Sequence, residues 1–209
     1  MVKDGIYYGV GLGVAGLLLS VVFHPAWGLP FFLLAAFCLY FFRDPERAIP
    51  AGDVVVSPAD GKVVHMRPTP GGGVRISIFL NIFNVHVNRC PIGGRVTGVE
   101  YKTGSYLMAH KELASDENEQ NTLTIDPDRP GSGPVIVKQI AGLVARRIVC
   151  YKKIGDRVEK GERFGLIKFG SRADIFLGPE WQPTIQVGEK VAGGSSILAK
   201  LRNTPAGGV

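Results

Sequence analysis

Hydrophobic residues run almost unbroken through the first 42 positions, and beyond them they come in short groups separated by Gly, Pro and charge. Lys3 and Asp4 are the only charged side chains before Arg43. The stretch 5–23 (GIYYGVGLGVAGLLLSVVF) carries no charge over 19 residues. At ~1.5 Å per residue a helix of that length reaches roughly 28 Å, close to the ~30 Å hydrocarbon thickness of a bilayer. His24, Pro25 and Gly28 break it, and a second apolar run, 26–42, ends at Arg43-Asp44-Pro45-Glu46-Arg47. Both runs are apolar all round, which predicts a helical hairpin in lipid rather than one face of a soluble core. A cleaved export signal fits less well: Asp4 offsets Lys3, no small-x-small site precedes a polar region, and a second apolar run follows at once. Gly5, Gly9, Gly11, Gly13 and Gly16 would let the two helices approach closely. Arg43 and Arg47 at the exit place residues 43–209 on the cytoplasmic side of the cell membrane by the positive-inside bias.

From residue 53 the period changes. Short β-branched segments at 54–56, 62–64, 74–80, 84–87, 95–101, 123–125, 135–140 and 143–151 have the spacing of an all-β sandwich or barrel. Helix is expected only at 106–113, with a helical turn at 179–181. A polar, acidic stretch at 110–121 and the segment 126–131 read as exposed loop and turn. Residues 154–161 (IGDRVEKG) recur as 187–194 (VGEKVAGG), each followed by an apolar strand, 164–169 and 196–201. Gly supplies the positive φ of a tight turn and Val re-enters the core. Such turns are similar to those of the biotinyl/lipoyl-like β-sandwich, a barrel-sandwich hybrid whose two quasi-equivalent halves interlock. The expected fold is therefore mainly β, of that type, with an N-terminal hydrophobic helical hairpin. Two domains are expected, an anchoring hairpin at 1–42 and a β-rich domain at 43–209.

Composition narrows the function. The 209 residues hold 24 Lys+Arg against 18 Asp+Glu, a net +6, and all of that excess lies after residue 42. With 20% charged residues the chain is too apolar for disorder and too mixed for a polytopic membrane protein. Cys38, Cys90 and Cys150 form no C-x-x-C pair, so neither a disulfide framework nor a zinc site is expected, and each reads as a small buried hydrophobe. No metal is expected elsewhere. Gly71-Gly72-Gly73 lacks the spacing of a dinucleotide fingerprint and reads as a hairpin turn. Basic residues are scattered without aromatic interleaving, which excludes nucleic acid as a partner and leaves anionic lipid. Two segments carry candidate chemistry. Ser57-Pro58-Ala59-Asp60-Gly61-Lys62 sets a carboxylate in a turn between short strands, where a plain turn Asp before Gly is the simpler reading. Asn84-Val85-His86-Val87-Asn88-Arg89 alternates so that Asn84, His86 and Asn88 share a strand face.

The segment Arg163-Phe164-Gly165-Leu166-Ile167-Lys168-Phe169-Gly170-Ser171-Arg172 adds specificity. Its Phe169-Gly170-Ser171-Arg172 resembles the Gly-Ser self-cleavage site of pyruvoyl-dependent phosphatidylserine decarboxylases, in particular the short, membrane-anchored bacterial and archaeal branch. Further stretches match in order: Phe41 to Arg47, Ser57-Pro58-Ala59-Asp60-Gly61, Asn84 to Arg89, Glu117-Asn118-Glu119, Gln139-Ile140-Ala141-Gly142 and Gly161-Glu162-Arg163-Phe164-Gly165. The likeness covers residues 40–175.

That resemblance implies a self-processing enzyme. The Ser171 hydroxyl would attack the Gly170 carbonyl, and an ester followed by elimination and hydrolysis would leave a pyruvoyl group, so the chain would be cut between Gly170 and Ser171 into 1–170 and 171–209. The two products would stay together as a heterodimer. The pyruvoyl group derived from Ser171 would serve as the cofactor, without metal or pyridoxal phosphate, and would turn phosphatidylserine of the bilayer into phosphatidylethanolamine and CO2 through a Schiff base. His86 is implied as proton donor, Asp60 as base or orienter, and Arg89 as partner of the substrate carboxylate or phosphate. Longer relatives carry a second His where this chain has Arg89, so a complete Asp-His-Ser triad is not carried over. Two alternatives stay open: a related serine phospholipid such as archaetidylserine as substrate, and a non-catalytic, membrane-anchored lipoyl-like adaptor.

Overall fold

The structure, a computed structural model, describes residues 2–105, 117–129, 131–142, 147–168 and 171–202. The chain divides into two compact units, Met1–Glu46 and Arg47–Val209. The expected helix at 106–113 lies outside the described residues.

The first unit is a pair of apolar helices, α1 (Lys3–Val22) and α2 (Pro25–Phe41). The His24 ring caps α2 by accepting the N–H of Ala26 at 3.2 Å, and Pro25 occupies the first helical position, where no N–H is needed. Three of the five α1 glycines make the contact. A Cβ on Gly5 would strike Phe42, one on Gly9 would strike Leu39, and one on Gly16 would press on Phe31 and Phe32, whereas Gly11 and Gly13 meet nothing within 4 Å. By length and composition α1 is able to cross a bilayer; α2, at 17 residues, is shorter.

The second unit is built from strands β1 (Val54–Val56), β2 (Gly61–Pro68), β3 (Val74–Leu80), β4 (Val87–Arg89), β5 (Gly94–Lys102), β6 (Gln120–Pro127) and β7 (Val135–Ala141). It continues with β8 (Arg147–Cys150), β9 (Arg157–Val158), β10 (Arg163–Lys168), β11 (Ser171–Leu177), β12 (Trp181–Pro183), β13 (Lys190–Val191) and β14 (Ile197–Leu201). An eight-stranded sheet has the order β13-β2-β3-β11-β7-β6-β5-β9, and two three-stranded sheets, β1-β14-β12 and β4-β10-β8, complete the unit. The core holds Val55, Val63, Ile76, Ile78, Leu123, Ile125, Val137, Phe164, Ile175 and Leu198, among others. The mainly β fold with an apolar helical hairpin is the expected one.

The repeat organises this topology. Its turns end in the two-residue strands β9 and β13, which occupy opposite edges of the large sheet, and the strands that follow, β10 and β14, are the middle strands of the two small sheets. Four glycines at matching places, Gly155 and Gly161 against Gly188 and Gly194, have φ of 96° and 81° against 101° and 79°. A second copy of the repeat shares the spacing: Ser57-Pro58-Ala59-Asp60-Gly61-Lys62-Val63 corresponds to Cys90-Pro91-Ile92-Gly93-Gly94-Arg95-Val96. The backbone bonds correspond as well. Gly194 N–H donates to Ser57 and Gly161 N–H to Cys90, each at 2.8 Å. Gly188 N–H donates to Val63 and Gly155 N–H to Val96, again at 2.8 Å.

Three local expectations are corrected. Residues 84–86 precede β4 instead of opening it, because Asn81 and Asn84 side chains take up the N–H groups of Phe83 and Asn81 and hold a turn there. Residues 118–121 are buried, not exposed, because the side chains of Asn118, Glu119 and Asn121 find partners in the Ala141 carbonyl, Tyr101 and Gln139. At 179–181 the chain makes a turn, closed by Trp181 N–H to the Gly178 carbonyl at 3.2 Å, and passes straight into β12.

Candidate functional site

The two halves of the repeat match in backbone and differ in a few side chains. Where β1 has Val55 and Val56, the equivalent strand β4 has Asn88 and Arg89, and all four are buried. Where the second half has Gly93, the first has Asp60. Polar groups in positions that the sister half fills with apolar or small residues are not required by the fold, which directs attention to this end of the unit.

Ser171 opens β11, a strand paired along its length with both β3 and β7. It stands between Leu80 and Ala141 and is fully buried. Its hydroxyl has no hydrogen-bond partner among the described residues. An orphaned buried hydroxyl costs about 1–3 kcal/mol. Ala141 turns its N–H to the Glu119 carbonyl at 2.9 Å and accepts Asn118 Nδ2 at 2.7 Å. Its backbone groups therefore face away from β11, so Ala141 and Ser171 form the closer, non-hydrogen-bonded kind of pair, with only a methyl beside the hydroxyl. The Glu117-Asn118-Glu119 segment thus fixes the neighbour of Ser171. Gly170 lies outside the described residues.

Asp60 is near the same end of the sheet. Lys62, Phe79 and Arg172 stand abreast on β2, β3 and β11, so Asp60 and Ser171 both lie just before this row, two strands apart, a separation of roughly 10 Å. The Asp60 carboxylate accepts Arg47 at 2.9 Å on each oxygen and Gly193 N–H at 2.8 Å on Oδ1. His86 is buried. Its Nδ1–H donates to the Asn84 carbonyl at 3.0 Å, since a carbonyl can only accept, and this leaves Nε2 as the nitrogen that gains or loses a proton. The His86 carbonyl accepts Ile167 N–H at 3.2 Å. Ile167 packs on Ala141, the partner of Ser171, so the fold brings His86, Ser171 and the Asp60 turn to one end. Arg89 is turned elsewhere: its guanidinium donates to Gly161 at 3.0 Å, between the repeat turns, while its backbone N–H reaches Pro58 at 2.9 Å.

Sequence reasoning overlooked two buried polar groups. Arg172 and Asp174, both fully buried, pair through Nε–Oδ1 at 2.6 Å and a second nitrogen to Oδ2 at 3.0 Å, and Arg172 also donates to Ser77 at 2.8 Å. They occupy the face of β11 opposite Ser171. The other group is a chain of amides: Asn121 donates to Gln139, and Gln139 donates to Asn88, both at 2.9 Å. Gly165 is required here, because a Cβ would sit 2.9 Å from Gln139 Nε2 and 2.2 Å from the Val149 carbonyl. Gln139→Leu leaves both asparagines without their partner and is expected to destabilise the unit by about 2–4 kcal/mol. A fall in the urea midpoint with unchanged slope checks this.

The cysteines take no part. Burial, reinforced by the Glu162 carboxylate, pushes the Cys90 thiol up to about 12, far from a neutral-pH nucleophile. At neutral pH a maleimide should therefore modify half-buried Cys150 in the folded chain and reach Cys90 only after unfolding; peptide mapping before and after denaturation checks the order. Among the described residues no group of His, Cys, Asp and Glu side chains is placed to hold a metal ion.

Residues 34–199 match the family model described as phosphatidylserine decarboxylase. A phosphatidylserine decarboxylase proenzyme of Solibacter usitatus is 54% identical over 200 residues, covering 96% of each chain. One from Cupriavidus pinatubonensis is 43% identical over 195 residues, 88% of this chain and 89% of the relative, and one from Cupriavidus taiwanensis is 42% identical over 206 residues, 95% and 94%. With the match running through both halves of the β-rich unit and through the Ser171 strand, the chain belongs to the phosphatidylserine decarboxylase family.

Proposed function

We propose that the chain decarboxylates phosphatidylserine to phosphatidylethanolamine and CO2 after cutting itself between Gly170 and Ser171. The observation that carries the reading is the Ser171 hydroxyl, buried and without a partner among the described residues at the head of a central strand. A hydroxyl kept there at a cost in stability fits a group that reacts. Its oxygen attacks the Gly170 carbonyl carbon, the C–O bond forms as the C–N bond breaks, and the hydroxyl proton ends on the amide nitrogen. Elimination then leaves Gly170 as a carboxyl terminus, and hydrolysis of residue 171, with loss of ammonia, gives the pyruvoyl group. That group supplies an electron sink, a carbonyl reactive toward a primary amine and conjugated to an amide.

The remaining roles fall to groups already held in place. His86, its ring fixed through Nδ1, delivers a proton from Nε2 to the carbon that has lost CO2. Asp60, gripped by Arg47 and Gly193, orients the cleavage end. Arg89, its guanidinium held at the Gly161 carbonyl between the repeat turns, acts on the substrate carboxylate or phosphate through its charge and not by contact at Ser171.

Two further parts belong to the proposal. Residues 171–209 contribute β11 to β14, including core residues Ala173, Ile175 and Leu198, so the cleaved chains stay together without a covalent link. The apolar hairpin anchors the protein in the cell membrane, with the β-rich unit on the cytoplasmic side of Arg43 and Arg47. The test is release of labelled CO2 from carboxyl-labelled phosphatidylserine in vesicles, compared with Ser171→Ala. Release by the parent chain alone supports the reading, and equal release by both overturns it.

A further inference from the structure

Beside the Ser171 end of the large sheet lies a recess of about 530 Å³ bordered by Lys62, Phe79, Asn81, Phe83, Asn84 and Lys190. Lys62 and Lys190 are exposed and directly opposed across β2 and β13. Neither has a salt bridge with a described residue. Like charges facing each other weaken a strand pair, and the acid on the same turn, Glu189, is occupied by the N–H of Gln186 at 2.8 Å. The recess therefore presents two positive charges that form no salt bridge with the described residues.

The other wall is apolar. The loop from β3 to β4 exposes Ile82 at 42% and Phe83 at 61%. Its shape is fixed by Asn81, which accepts Phe83 N–H, and by Asn84, which accepts Asn81 N–H, each at 2.9 Å. A tied loop that exposes two large apolar side chains beside two opposed lysines has the make-up of an interfacial anchor, with rings and branched chains at the acyl boundary and ammonium groups at the headgroups. The same loop joins Leu80, the partner of Ser171, to His86.

We propose that this face docks the β-rich unit onto a bilayer containing anionic phospholipid, with Ile82 and Phe83 at the acyl boundary and Lys62 and Lys190 at headgroup phosphates. Docking there brings lipid headgroups to the end of the sheet that Ser171 heads, on the face that Lys62 and Phe79 share with Arg172. The delivery of substrate rests on the function proposed above, whereas the docking does not.

The experiment uses the full chain, reconstituted in vesicles of brominated phosphatidylcholine with and without phosphatidylglycerol. A Phe83→Trp variant is expected to show quenching beyond that of the native Trp27 and Trp181, and more of it when phosphatidylglycerol is present. Adding Lys62→Glu and Lys190→Glu should lower the docked fraction on the order of tenfold. Quenching no greater than that of a Tyr151→Trp control, or indifferent to the charge reversals, overturns the docking. An activity arm separates a bilayer from a soluble anion: the double charge reversal should slow turnover of phosphatidylserine in anionic vesicles on the order of tenfold and leave dispersed short-chain phosphatidylserine unchanged. Equal loss on both substrates overturns the docking in favour of a headgroup subsite. A chain without decarboxylase activity refutes the proposed function, and the quenching result then judges the docking by itself.

Discussion

Ser171→Ala is expected to abolish both chain cleavage and CO2 release while leaving the protein at least as stable as before. Loss of activity should be complete, because the variant lacks the oxygen that attacks Gly170 and the atoms from which the carbonyl is made. The stability effect has the opposite sign to that of most core substitutions. Removing a buried hydroxyl with no partner among the described residues relieves a desolvation cost of about 1–3 kcal/mol, and the new methyl would sit beside Ala141 without crowding. Electrophoresis should show one chain, and the denaturation midpoint should be unchanged or higher. A merely structural serine would give the reverse pattern, with stability changed and activity kept.

Asp174→Ala carries the largest expected loss of stability, about 3–5 kcal/mol. It leaves the fully buried Arg172 guanidinium without the carboxylate that meets two of its nitrogens. Stability of this size is a large part of what a domain has in total, so the variant should unfold at much lower urea and, because Ser171 heads the same strand, should process slowly. Replacing both partners, Arg172→Met with Asp174→Leu, removes the stranded charge and should recover most of the loss. Urea titration of the single and double variants tests this, and a double variant no more stable than Asp174→Ala alone would refute it.

The hairpin and most strands are readable from pattern because each depends on local periodicity. The apolar runs either side of His24 become α1 and α2, and residues 74–80 form β3 with the expected bounds. The central strand β11 escaped, and the reason is physical. Arg172 and Asp174 interrupt the apolar alternation at 171–177 and look like surface residues, and only the fold shows that they neutralise each other inside the sheet. Residues 118–121 misled in the same way, since four polar side chains in a row read as loop until Gln139 and Ala141 are brought beside them. The repeat was half visible: the Gly-rich turns at 154 and 187 are alike by eye, while the match of residues 57–63 to 90–96 is carried by Pro, Gly and Val alone. At the site, Ser171 and His86 were legible through resemblance, but the grip of Arg47 on Asp60 and the inward turn of Arg89 depend on contacts distant in sequence.

The central claim, that the chain cuts itself at Gly170-Ser171 and converts Ser171, is tested most directly by intact-mass spectrometry of the purified protein. The account predicts two chains, 1–170 and 171–209, the smaller with the mass of a pyruvoyl group in place of serine and resistant to N-terminal sequencing. A single intact chain of 209 residues that still decarboxylates phosphatidylserine at full rate would contradict it.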